Sequence, residues 1–103
     1  MNTSATLRTY ELPCYDSRKS FYGKARCVWQ VNKGTTLHSY STDICTVTDD
    51  GCLIKHDPVA TATTRRHIRS FLQHMNLPVL DNRAWDKLPL HQAVSLNDLR
   101  KEH

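Results

Sequence analysis

TATTRRHIRSFLQHM, residues Thr61 to Met75, is the stretch whose reading decides the fold. At about 100° per residue, Ile68, Phe71, Leu72 and Met75 fall at i, i+3, i+4 and i+7, one apolar stripe roughly 100° wide. Such a stripe has to be buried, so an amphipathic helix over 61–75 implies a surface that receives it. Thr63 or Thr64 is placed to cap the first turn by accepting its orphan amide hydrogens. Asn76 followed by Pro78 closes the other end. Arg65, Arg66 and Arg69 lie beside the stripe, with Arg65 and Arg69 one turn apart, and His67, Ser70 and His74 complete the polar face.

The receiving surface is read upstream. Leu7 to Leu12 is a short strand stopped by Pro13. Ala25 to Val31 alternates, with Ala25, Cys27, Trp29 and Val31 on one face and Arg26, Val28 and Gln30 on the other. Asn32, Lys33 and Gly34 form a hairpin loop ending in a residue suited to the left-handed region. Thr35 to Ser41 returns, Ser41 to Asp43 turns again, and Ile44 to Thr48 is rich in β-branched residues. Asp49, Asp50 and Gly51 are a second hairpin turn before Cys52 to His56, and Asp57 with Pro58 ends the run. A β-meander followed by an amphipathic helix has one economical solution, the helix laid across the sheet's apolar face. Trp29, Val31, Leu37, Ile44 and Ile54 are the expected sheet-side partners. Arg26, Gln30, His38 and Lys55 are expected on the opposite face.

The expected class is therefore α+β, an antiparallel β-meander of four to five strands packed against one amphipathic helix. Residues 1–76 form this core domain and residues 77–103 an extension packed on it or trailing from it. Within the extension, Asp81 caps a short helix from Asn82 to Leu88 that Pro89 breaks, and Leu90 to Leu99 reads as another helix.

With 103 residues and 39% hydrophobic content, the chain supports one modest core. Fourteen Lys and Arg against ten Asp and Glu give a net charge of +4, a mild excess that favours acidic partners such as nucleic acid. No apolar run approaches the roughly 20 residues of a membrane span, and Met1 to Leu12 lacks the pattern of a secretory leader. The expected setting is the cytoplasm, with no membrane partner. Four cysteines, Cys14, Cys27, Cys45 and Cys52, are accordingly read as reduced thiols. Cys45, Cys52, His56 and His38 lack the tight spacing of a zinc site, and no metal or other cofactor is expected.

The loop from Tyr15 to Lys24 is dense in Arg, Lys and Tyr. Its functional reading is a patch in which Arg18, Lys19 and Lys24 meet phosphate while Tyr15, Phe21 or Tyr22 stacks on a base. The plainer reading is that the aromatics anchor the loop and the cations solvate it, since aromatics in small domains are core more often than ligands.

The run YDSRKSFYGKA (Tyr15 to Ala25), with SYST (Ser39 to Thr42) and TATTRRHIRSFL (Thr61 to Leu72), resembles a family of small uncharacterised proteins from bacteriophages and mobile elements. The resemblance spans Leu12 to Met75. It implies a phage or mobile-element setting inside a bacterial cell, where small basic proteins often bind and adjust host machinery.

The function expected from these features is non-enzymatic binding, directed at nucleic acid or at a nucleic-acid-binding host protein. Arg18, Lys19, Tyr22, Lys24, Arg65, Arg66 and Arg69 are the candidate contact residues. Two other binding roles remain open. One is an anti-defence inhibitor of the anti-CRISPR kind, with Asp43, Asp49, Asp50 and Asp57 imitating phosphates. The other is a sponge for anionic nucleotides, clamped by the three helix arginines. A small nuclease using His38 or His67 as acid or base lacks paired carboxylates, a nucleophile elbow or a phosphate loop. No enzymatic activity is expected.

Overall fold

The alternation and turn residues noted above produce a continuous antiparallel sheet in the computed structural model, which describes residues 7–13, 24–58, 61–78 and 80–101. The strands are β1 (Leu7–Glu11), β2 (Ala25–Gln30), β3 (Gly34–Ser39), β4 (Thr42–Thr48) and β5 (Cys52–Lys55). Helix α1 (Ala62–His74) follows, then α2 (Asn82–Asp86), a sixth strand β6 (Ala93–Ser95) and α3 (Leu96–Lys101). The strand order is sequential from β1 to β6. The class is α+β as expected, with six strands rather than four to five.

The register assigns each strand residue to a face. Tyr10, Cys27, Leu37, Cys45 and Lys55 are cross-strand neighbours in one row. Thr35, Val47 and Leu53 belong to the next row on the same side. Except for the exposed Tyr10 at the sheet edge, they are with Ala25 the buried set, covered by Ile68, Phe71 and Leu72 of α1 and by Trp85 of α2. The opposite face carries the row Thr9, Val28, Thr36, Thr46, Ile54 and Ala93.

Several sequence expectations change here. Ile54 lies on the opposite face and Leu53 takes its place in the core. Val31 lies past the end of β2 and is 41% exposed. Lys55, expected on the open face, is buried among the core residues. A one-residue difference in phase sends every side chain of a strand to the other face. In β4, Ile44 is an extra residue: Leu37 pairs with Cys45 while His38 pairs with Asp43. This bulge leaves Ile44 and Cys45 both buried although they are adjacent in sequence.

Helix α1 begins one residue inside the expected span. Thr61, rather than Thr63 or Thr64, is the N-cap, its hydroxyl accepting the Thr64 amide hydrogen at 3.2 Å. At the far end Asn76 adopts φ +58 and Leu77 N donates to Leu72 O at 2.8 Å, a left-handed closure in which Asn replaces the usual Gly. Leu77 is itself buried. The buried face of α1 is broader than the apolar stripe, because His67 and Ser70, expected on the polar face, are also buried.

The extension is not a second helix from Leu90. Asp81 caps α2 by accepting the Ala84 amide hydrogen at 2.7 Å. The chain then returns to the sheet, and Ala93, Val94 and Ser95 pair with Ile54, Leu53 and Cys52. Helix periodicity lost to the outer edge of β5, whose backbone groups need partners.

Burial settles the cysteines it reaches. Cys27 and Cys45 flank Leu37 on the covered face. Two strand spacings, about 9–10 Å, separate them, beyond the roughly 7 Å that a disulfide spans. Desolvation pushes the Cys27 thiol up to about 11 and raises Cys45 as well. Cys14 lies outside the described residues; of the other three, Cys52, which is only half-buried, is expected to label first in the native protein with a thiol reagent at pH 8. Mass mapping should show Cys27 and Cys45 modified only on unfolding. Early labelling of Cys45 would mean that β4 is not held as described.

Candidate functional site

The β3–β4 hairpin closes on the Ser39–Thr42 pair, leaving Tyr40 and Ser41 as a two-residue turn. Tyr40 sits at φ +56, a region that bulky L-residues seldom enter. Its amide donates to the Lys24 carbonyl at 2.7 Å, continuing the β2–β3 ladder beyond Ala25 and Ser39 and fixing Lys24 beside the turn.

Helix α1 brings the second half of the site. His67, 1% exposed, shares a 2.8 Å hydrogen bond between its Nδ1 and the Ser39 hydroxyl. The Tyr40 ring lies 5.9 Å from the His67 ring, tilted by 40°. Burial holds the His67 pKa below its ordinary value of 6.5, and the charges of Arg66 and Lys24 act in the same direction. The neutral imidazole is thus the favoured form. Ser39, Tyr40, His67 and the Lys24 backbone form one cluster at the end of the sheet, with Arg66 next in sequence to His67; Lys24 and Tyr40 are exposed and Arg66 is half-buried. Neutral His67 can be buried because Ser39 supplies its hydrogen-bond partner.

Ser39 and His67 have the atoms of a nucleophile–base couple. At 2% and 1% exposure, however, both are enclosed, and their bond ties the hairpin to α1. His38, the other histidine considered as an acid or base, pairs with Asp43 at 2.8 Å on the face away from α1. Among the described residues, no group of three or more His, Cys, Asp or Glu is placed to hold a metal ion. No described helix is long and apolar enough to cross a membrane.

The structure separates the three helix arginines. Arg65 reaches Asp86 of α2 at 3.2 Å and is three-quarters buried or more. Its role is to brace α2, a contact worth about 1 kcal/mol or less given the exposure of its partner. Arg66, half-buried, adjoins His67 on α1, and Arg69 is exposed on the same helix. Arg18, Lys19 and Tyr22 lie outside the described residues. Sequence reading missed Ser39, Tyr40 and His67 as a unit. The turn contains no Gly, Asn or Asp, and a serine 28 residues from a histidine carries no spacing signal.

No curated protein and no solved structure matches the chain. The sequence model described as "Family of unknown function (DUF8033)" matches residues 10–87, which include β2 to β5, α1 and α2 together with every residue of the hairpin cluster. The chain belongs to this family of unknown function, DUF8033.

Proposed function

We propose that this chain is a non-enzymatic binding protein that engages nucleic acid through the cluster at the β3–β4 hairpin. In this reading it is a phage or mobile-element product acting in the cytoplasm of a bacterial host. The observation that carries it is the exposed Tyr40 ring set against His67 of α1, with Lys24 bonded through its carbonyl to the Tyr40 amide and Arg66 next to His67 on the helix. Two cations on rigid elements beside an exposed aromatic ring offer phosphate contacts and a base-sized apolar surface together. Arg69, exposed one turn further along α1, extends the cationic surface.

The test is a salt series with single- and double-stranded DNA and RNA. Each phosphate neutralised contributes about 0.9 to the log–log salt slope on duplex and about 0.7 on single strands. Lys24→Ala/Arg66→Ala is expected to flatten the slope by about two of these increments and to weaken binding about tenfold at low salt. Arg65→Ala, which removes the cation paired with Asp86, should leave the slope unchanged. Binding that ignores ionic strength, or that survives the double substitution intact, would overturn the proposal.

A further inference from the structure

We propose that Tyr40 is a stacking platform for one unpaired base of a single-stranded nucleic acid whose adjoining phosphates lie on Lys24 and Arg66. This deepens the binding role proposed above and rests on it.

Three observations converge on the ring. The first is its backbone. Positive φ outside glycine occurs among the described residues at Asn32, Tyr40, Asn76 and His91. Asparagine tolerates that region through its short polar side chain; tyrosine does not. A bulky residue held where glycine would be easier points to a use for the side chain. The second is support. Tyr40 is 55% exposed, yet its ring packs near the His67 imidazole, which is itself fixed by Ser39 and buried. An exposed ring backed by a fixed one has already lost much of the rotamer freedom that stacking would otherwise remove. The third is placement. The Tyr40 amide is bonded to the Lys24 carbonyl, and Arg66 precedes His67 on the helix, so the two elements that meet at the ring each carry a cationic residue next to the contact.

A single aromatic surface fits a single base. Inside a duplex each base is already stacked on both faces, so the ring should favour strands with at least one unpaired base. Stacking of this kind tolerates any base, because every base has a π-face, and the expected preference is for strandedness over sequence.

The probe is a single-stranded oligonucleotide with one central 2-aminopurine, whose fluorescence falls on stacking, compared with its duplex. Wild type, Tyr40→Phe and Tyr40→Gly are measured at one low salt concentration, with melting temperatures taken in parallel. Wild type should quench the probe, and Tyr40→Phe should quench and bind alike. Tyr40→Gly should lose the quenching and about tenfold in single-strand affinity, while duplex affinity stays within about twofold. Glycine suits φ +56, so this variant should melt no lower than wild type. Unquenched probe in a bound wild-type complex, or equal losses on single strands and duplex, would overturn the stacking role and leave the binding role standing. Absence of any salt-sensitive binding by wild type would overturn both. Should Tyr40→Gly fail to fold, quenching by wild type and Tyr40→Phe decides.

Discussion

Gly34→Ala is expected to lower stability by about 3 kcal/mol or more, a large fraction of the roughly 5–15 kcal/mol available to a domain of this size. Gly34 pairs with Gln30 on one side and Thr48 on the other, so the β2–β3 turn and the β3–β4 ladder meet at its backbone. A Cβ there would stand 2.1 Å from the Val47 carbonyl oxygen and 2.7 Å from Thr48 Cα, at φ +132. Both neighbours are backbone, so no rotamer change relieves the overlap and the strands themselves must move apart. Gly51 provides the contrast, since at φ +88 nothing lies within 4 Å of its would-be Cβ. Gly51→Ala should therefore cost only the conformational strain, about 1–2 kcal/mol. Urea midpoints of the two variants check this, and a Gly34→Ala protein within about 1 kcal/mol of wild type would refute the close approach.

Lys55→Ala is the second large effect, expected at about 3 kcal/mol. Lys55 Nζ donates to the Trp85 carbonyl at 2.9 Å and to the Leu88 carbonyl at 3.4 Å, and it lies 5.5 Å from the Trp85 ring centroid. Truncation removes the buried stem and leaves those carbonyls without this donor. Lys55→Met keeps the stem volume and should cost about 1–2 kcal/mol. The pH dependence separates charge from packing. Desolvation holds the Lys55 amine below its ordinary 10.5, with the Asp86 charge opposing and the Arg65 charge assisting. The unfolded chain therefore binds more protons than the folded one between the depressed folded pKa and 10.5. Stability gained through Lys55 rises with pH across that window, and the full penalty for burying the charge is present below it. The difference in unfolding free energy between wild type and Lys55→Met should shift in favour of wild type as pH climbs through this range. A difference independent of pH up to 10.5 would show that the amine titrates as in water.

Helix α1 was legible because its stripe and its Asn–Leu–Pro ending are local signals, and local signals survive tertiary context, whereas the cap fell on Thr61 because several threonines close together offer the same local signal. The two hairpins with glycine, at Asn32–Gly34 and Asp49–Gly51, were legible for the same reason. The third, at Tyr40–Ser41, was misplaced by a residue because its turn residues carry no preference for positive φ; the surrounding packing imposes it. β6 was hidden by a different cause. Its three residues pair with β5 about 40 positions earlier, and neither partner announces the other. Lys55 was assigned to the wrong face because composition argues against burying an ammonium group, whereas the carbonyls at the end of α2 supply partners for it. Of the candidate contact residues, Lys24 is tied to the hairpin turn through its carbonyl and Arg66 adjoins His67 on α1, and what joins hairpin to helix is the Ser39–His67 bond, which no local signal announces. Arg65 shows the converse, a cation whose partner Asp86 lies 21 residues away and draws it out of the cluster.

The origin of β6 also has a consequence during synthesis. β1 to β5 follow one another through the chain, and each can join the growing sheet as soon as it emerges from the ribosome. β5 then presents an open edge until residues 93–95 appear, several seconds later at roughly 5–20 residues per second. For that interval a nascent chain carries a nearly complete hydrophobic face beside an unpaired strand. Neighbouring chains on the same messenger can pair with that edge before the native strand arrives.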